Sequence, residues 1–197
     1  MTMSLPPAAF DQVFLSARTF NKFIDRKVDD ATLHQLYEAY KWGPTAMNSQ
    51  PARIIFARSA AAKEKLKGAL MSGNVDKTMA APVTPIIAYD TAFYEQLPTQ
   101  FPPNPAARDM FAGNPALAAE TAMRSGTLQG AYLIMAARML GLDAGPMSGF
   151  DAAKVNAAFF AEGSWKVNFL VNLGWGDSSG NRPRGPRLSF ADAARIE

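Results

Sequence analysis

Apolar residues recur along this chain in two rhythms, one near 3.6 residues and one of alternating or continuous runs, and the change between them marks the elements. Pro7 to Ser16 predicts a short helix. Asp29 and Asp30 offer N-caps for a second helix reaching about Trp42, where Gly43-Pro44 stops it. A loop from Thr45 to Ala52 leads into Arg53–Arg58, a β-type run. Ser59 caps a helix over Ala60–Leu70, in which Lys63, Lys65 and Lys67 are expected to face solvent. Pro85–Tyr89 reads as a buried strand. The longest periodic stretch runs from Ala116 to Leu140, with small residues such as Ser125, Gly126 and Gly130 permitting close packing and Gly141 as a C-terminal stop. A short helix over about Asp151–Phe160 and a last strong strand over Lys166–Leu173 complete the pattern.

Two stretches break the rhythm. Between Phe93 and Pro115 fall five prolines (98, 102, 103, 105 and 115) together with Phe93, Tyr94, Phe101 and Phe111. A loop of that length in one domain is a lid, a binding element or a disordered insertion, and the aromatic residues argue against plain disorder. The tail from Gly174 to Glu197 is turn-rich and ends in a weak helix. No repeat and no linker divides the chain, so residues 1–197 are read as one domain. Strands near 53–58, 83–89, 144–147 and 166–173 under several helices give a mixed α/β or α+β sandwich.

The 197 residues can bury roughly 70% of their unfolded surface, so the core needs no staple. The chain has no cysteine, which excludes thiol nucleophiles, Cys-zinc sites and disulfides. Its one histidine, His34, lies on a helical stretch and reads as a surface residue rather than a general base, leaving triad and His-metal catalysis without material. Hard chemistry in such a chain belongs to an organic cofactor. The net charge of +3 is mild and the only basic cluster is Arg182/Arg184/Arg187, so a small anion fits better than nucleic acid. No leader is visible in Met1–Phe10 and no apolar run approaches ~18 residues, so a cytoplasmic protein that does not span a membrane is expected. Gly-x-Gly-x-x-Gly after a strand and the P-loop pattern are both absent.

Five polar segments remain, each of which alone could be an ordinary turn or helix end. Arg18-Thr19 can direct a guanidinium and a hydroxyl at phosphate oxygens. Asn48-Ser49-Gln50, locked by Pro51, offers amides that read the edge of a pyrimidine-like ring. Asn74 and Lys77 pair an amide with a cation. Gly145-Pro146-Met147-Ser148-Gly149-Phe150 lets backbone N–H groups approach a flat ligand over an apolar floor. The Arg182/Arg184/Arg187 tail suits an anion.

In this order and spacing the five segments resemble the FMN-dependent nitroreductase family. Ala17-Arg18-Thr19-Phe20-Asn21-Lys22-Phe23 is similar to its Arg-Ser-x-Arg-x-Phe opening, and Pro44–Pro51 to its Pro-Ser/Thr-x-x-Asn-x-Gln-Pro loop. Asn74-Val75-Asp76-Lys77 matches an Asn-x-x-Lys pair, Pro146–Phe150 the segment beside the flavin's reactive nitrogen, and Arg184–Leu188 the closing basic element. Blocks such as Lys41–Thr45, Ala80–Thr84 and Pro186–Phe190 resemble the branch containing malonic semialdehyde reductases of pyrimidine degradation.

The resemblance implies an α+β fold, a three-layer α/β/α sandwich with a mixed central sheet, in a domain-exchanged homodimer with FMN between subunits. Residues 93–115 would be a lid or excursion, and 176–197 a wrapping tail. It implies that Arg18, Thr19, Arg184 and Arg187 hold the FMN phosphate, and that Asn74 and Lys77 face the pyrimidine end of the ring. Asn48 and Gln50 would line the ring, Gln50 from the opposite subunit. Pro146 and Met147 would back it, with Gly149 beside them and the Ser148 N–H reaching N5. Asn21 departs from the family's Arg or Lys, so a neutral hydrogen bond replaces an ionic contact there. The implied activity is ping-pong hydride transfer from NADH or NADPH to a small-molecule acceptor: malonic semialdehyde, giving 3-hydroxypropanoate, or a broader range of nitroaromatics, quinones and enals. A non-enzymatic flavin carrier is the remaining alternative.

Overall fold

The computed structural model describes residues 4–197; residues 1–3, part of the stretch read for a leader, lie outside them. Four strands form one sheet in the order β1-β2-β4-β3: β1 Ala52–Ala57, β2 Thr84–Asp90, β3 Asp143–Met147 and β4 Trp165–Gly174. Every strand pair is antiparallel. This corrects the mixed sheet expected above: within one chain no parallel strand exists among the described residues, and the parallel pairing recorded is the isolated bridge Thr19–Ala144. Pro146 sits on β3, an edge strand, where its missing N–H costs no ladder bond on the open side.

Period-two alternation sends successive strand residues into two cores. Ile87, Val171, Leu173 and Ala144 pack with Leu36 and Tyr40 of α2 (Asp30–Tyr40) and Leu133 and Ala137 of α7 (Pro115–Met139). Ile86, Ala88, Leu170 and Met147 face the other way, against Leu66 of α3 (Ala60–Lys67) and Val155 of α8 (Ala152–Phe159). The result is helix, sheet, helix. A third α4, Ser72–Ala80, lies with α3 and α8; the sequence pattern shows only a polar segment there, because three of its nine residues (Ser72, Gly73, Asn74) are poor helix formers.

Local signals are followed closely at the helix ends. Asp29 accepts from Thr32 N at 2.8 Å and Ser59 from Ala62 N at 3.2 Å, the N-caps expected of α2 and α3. α7 closes in a Schellman motif: Gly141 has φ of 77°, Gly141 N donates to Arg138 O and Leu142 N to Ala137 O. The first helix divides into α1 (Pro7–Phe10) and a π turn over Asp11–Leu15.

Residues 93–115 are folded. A 3₁₀ turn (Phe93–Gln96), α5 (Leu97–Gln100) and α6 (Ala107–Ala112) enclose Phe93, Leu97, Ala107 and Phe111 against Ala118 and Ala122 at the start of α7. Phe93 and Phe111 meet edge to face with centroids 5.0 Å apart. This small core explains why the aromatic residues are there. By contrast, every residue from Arg182 to Glu197 is exposed, including the short α9 (Phe190–Ala193).

Candidate active site

The segment after the π turn runs beside the open edge of β3. Phe20 N donates to Ala144 O at 3.2 Å, and a Cβ on Gly145 would come within 2.5 Å of Phe20 O, so only glycine admits this approach. Arg18, Thr19 and Asn21 are thereby held against a cavity of about 400 Å³ whose other wall is the tail, with Arg182, Arg184 and Arg187. Arg18 donates to Arg182 O, and Arg184 Nη2 reaches back to Leu15 O at 2.6 Å and Ala17 O at 3.0 Å. Arg18 and Thr19 thus share one cavity with Arg184 and Arg187, which lie more than 160 positions further along the chain.

Sequence reasoning missed a fifth guanidinium. Arg138, near the end of α7, lines the same cavity, donates to Val13 O at 2.9 Å, and leaves its Nε buried without a partner. Burial holds its pKa below the usual arginine value. A long cation within the apolar period of a helix, three residues before its glycine stop, was the available signal. Among the described residues no Asp or Glu lines the cavity, and Asp143, which acts on Arg138, lies in a neighbouring recess. Guanidiniums that share a recess without a carboxylate are arranged for an external anion.

α4 and the end of β3 form the adjoining part. Asn74 Nδ2 donates to Gly149 O at 2.7 Å, and Met71 N donates to the same oxygen at 3.1 Å. Lys77, one turn on, is half-buried; burial first, and the Arg182 charge second, lower its pKa. Lys77 is thus near enough to Arg182, on the wall of the arginine cavity, for the two charges to interact, although neither Lys77 nor Asn74 lines that cavity. Ser148 is exposed and Pro146 half-buried, both available to a ligand. Met147 is not where it was expected. It is 8% exposed, points into the core between α3 and α8, and takes a hydrogen bond from Thr78 Oγ1 at 3.5 Å. The strand's alternation puts its side chain inward, so of Pro146 and Met147 only Pro146 is part-exposed at this segment.

Asn48 and Gln50 lie elsewhere in the same chain. Asn48 Nδ2 donates to Gln100 O at 2.8 Å and Gln50 Nε2 to Gln100 Oε1 at 3.1 Å, tying the loop to the folded excursion. Gln50 lines a second cavity of about 220 Å³, separate from the arginines. Met47, Asn48 and Gln50 have φ of 50°, 50° and 41°. Strained backbone of this kind in non-glycine residues gathers at functional sites. His34 is exposed, as read from its helix. Among the described residues no group of acids and histidines could hold a metal, and no helix is long and apolar enough to cross a membrane.

The sequence description of the nitroreductase family matches residues 15–175. The chain belongs to the nitroreductase family. A relative from Burkholderia lata, named a candidate NADH dehydrogenase/NAD(P)H nitroreductase, is 59% identical over 194 residues, covering 98% of this chain and 99% of its own. One from Ralstonia nicotianae, of the same name, is 55% identical over 193 residues and covers 98% of each chain. Among solved structures, a candidate nitroreductase from Exiguobacterium sibiricum in complex with FMN superposes with a TM-score of 0.86 at 18% identity, over 100% of both chains. A candidate NAD(P)H:FMN oxidoreductase from Staphylococcus epidermidis gives 0.82 at 18% identity, again over 100% of both. At that identity the structural likeness shows the fold alone.

Proposed function

We propose that this nitroreductase is an FMN-dependent NAD(P)H oxidoreductase. One observation carries the reading: a cavity lined by Arg18, Thr19, Arg184 and Arg187, with no carboxylate among its lining residues, has Arg182 on its wall near enough to Lys77 for their charges to interact, and Asn74 lies one turn before Lys77. That donor set fits a mononucleotide, with a dianionic phosphate at one end and a polar ring edge at the other. FMN, when bound, supplies hydride transfer from NAD(P)H to an acceptor. The chain's part is to bind and orient: guanidiniums fix the phosphate, Asn74 and Lys77 address the pyrimidine end, and Lys77 places positive charge where negative charge develops. The exposed Ser148 and half-buried Pro146 border the space where nicotinamide and acceptor take turns. The relatives' names and the FMN-bound fold neighbour support the cofactor and the electron donor.

The active unit in this reading is a domain-exchanged homodimer. Asn48 and Gln50 lie off the arginine cavity in their own chain, so they reach a flavin ring by lining that of a second copy. The tail supports the same arrangement, since Leu188 is 76%, Phe190 65% and Ile196 90% exposed. Apolar side chains so placed are covered in a stable assembly.

The branch resemblance favours malonic semialdehyde as the acceptor. The relatives' names favour nitro compounds, with quinones and enals alongside, and a nitro group or conjugated alkene is the better match for hydride from a flavin. Steady-state rates of the FMN-loaded protein with NADH and NADPH against malonic semialdehyde, a nitrofuran and a quinone decide between them. Parallel double-reciprocal lines are expected with the true acceptor. No NAD(P)H consumption with any of the three would sink the enzymatic reading.

A further inference from the structure

Lys63 was expected on the solvent side of α3 and is instead 5% exposed. Its ammonium lies in the core facing α4, 2.7 Å from Thr78 O and 2.6 Å from Thr84 Oγ1. No ion pair to it exists among the described residues. A buried cation without a counter-ion is costly, and burial pushes this one down to about 8. Hydrophobic residues of similar length fill such places more cheaply.

The hydrogen bonds around it run in one direction. Because Lys63 donates to Thr84 Oγ1, that hydroxyl directs its own proton to Asn172 Oδ1 at 2.8 Å. The Asn172 amide then donates to Thr78 Oγ1 at 3.3 Å, and Thr78 donates to Met147 Sδ at 3.5 Å. Thr78, Thr84 and Asn172 are all fully buried. Lys63 also holds Thr78 O, so the circuit closes on Thr78. That carbonyl is one of the last of α4, where a helix offers unpaired acceptors and partial negative charge. Thr78 follows Lys77 directly and lies one turn beyond Asn74; Met147 lies two residues before Gly149, which Asn74 binds. The circuit fixes both sides of the Asn74–Gly149 contact from beneath.

We infer that Lys63 is a positioning residue that, through Thr78, Thr84 and Asn172, sets α4 against the end of β3 so that Asn74 and Lys77 face the cofactor. This rests on the flavin reading for its consequence, and on the hydrogen bonds alone for its mechanics. The ammonium at position 63 clamps a helix terminus from inside the core, where a side chain without an N–H donor leaves that carbonyl unpaired.

The test compares wild type, Lys63→Met, Thr84→Val and the double variant, with Thr84→Ser as the conservative control. In the FMN-free proteins, amide hydrogen exchange over residues 74–81 is expected to accelerate in Lys63→Met and Thr84→Val, while the central turns of α7 keep wild-type protection. In the FMN-loaded proteins the dissociation constant for FMN is expected to rise about tenfold, the cost of one lost charge-assisted hydrogen bond. The flavin midpoint potential is expected to fall, and the double variant to lose no more than either single one. Thr84→Ser keeps wild-type values. Unchanged exchange over 74–81 together with unchanged FMN affinity overturns the proposal, as does full additivity of the two substitutions. Should Lys63→Met fail to fold, Thr84→Val against Thr84→Ser decides by the same measures. If wild type itself takes up no FMN, the flavin reading fails, and the exchange data still decide whether Lys63 positions α4.

Discussion

The side-chain amide of Asn74 donates to the main-chain carbonyl of Gly149 at 2.7 Å, bringing α4 onto the end of β3 at a position where a Cβ would stand 2.4 Å from that same Nδ2. Asn74 is the movable partner, so Gly149→Ala should rotate it away with little harm to the core. The expected result is a folded protein whose FMN dissociation constant rises by about one to two orders of magnitude, read by flavin fluorescence titration. Wild-type affinity would mean that Asn74 does not address the ring.

The long helix tests the packing account independently of any cofactor. A Cβ on Gly130 would meet the Phe169 ring at 2.4 and 2.7 Å and Ile87 at 3.2 Å, so the helix sits directly on the sheet there. Gly130→Ala gains helix propensity but overpacks the core, and a net loss of about 1–3 kcal/mol in denaturant unfolding is expected. A stabilised protein would show that α7 can lift off the sheet freely.

Lys63 sets a pH dependence with a definite sign. Its folded pKa of about 8 lies below the ordinary 10.5, so the unfolded chain binds more protons between those values and stability rises with pH across that window. Below pH 8 the full cost of the buried charge is present. Tyr40, raised by burial, opposes this only above pH 10. Urea midpoints from pH 7.5 to 10 should therefore climb more steeply for wild type than for Lys63→Met, and equal slopes would contradict the buried-charge assignment.

The exposed tail makes a claim about assembly. Leu188 and Phe190 are largely exposed in their own chain and belong to none of its buried clusters, so replacing both with Asp should leave the monomer fold intact and weaken self-association. Sedimentation velocity should show wild type as a dimer and the double variant shifted toward monomer. A variant that remains fully dimeric would remove the tail from the interface.

How much of this was legible in the sequence divides along a physical line. Signals contained in a few neighbouring residues survive: the Asp29 and Ser59 caps, the Gly141 stop and the strand runs of β1, β2 and β4 lie where local chemistry puts them. The residues around the arginine cavity were found because their spacing along the chain matched a family, and composition alone had left Arg18 an ordinary helix end. What was lost depends on three-dimensional neighbours. Lys63 looks like a solvent lysine until Thr78 and Thr84 are seen above it, and Arg138 looks like one polar position in a long helix. α4 hides behind Ser72-Gly73-Asn74, and the prolines between 98 and 105 conceal that Phe93 and Phe111 make a core with α7. Met147 was misplaced because a strand's alternation counts from its start, which a turn-like Gly145-Pro146 obscures.

The most direct measurement compares FMN with riboflavin, which differ only in the phosphate. Equilibrium binding of both to wild type and to Arg184→Ala, at low and high salt, isolates what the guanidiniums recognise. The account predicts that wild type retains FMN through gel filtration and turns yellow while riboflavin washes off, and that Arg184→Ala loses most of that preference. Equal affinity of wild type for the two flavins, or no affinity for either, would contradict it.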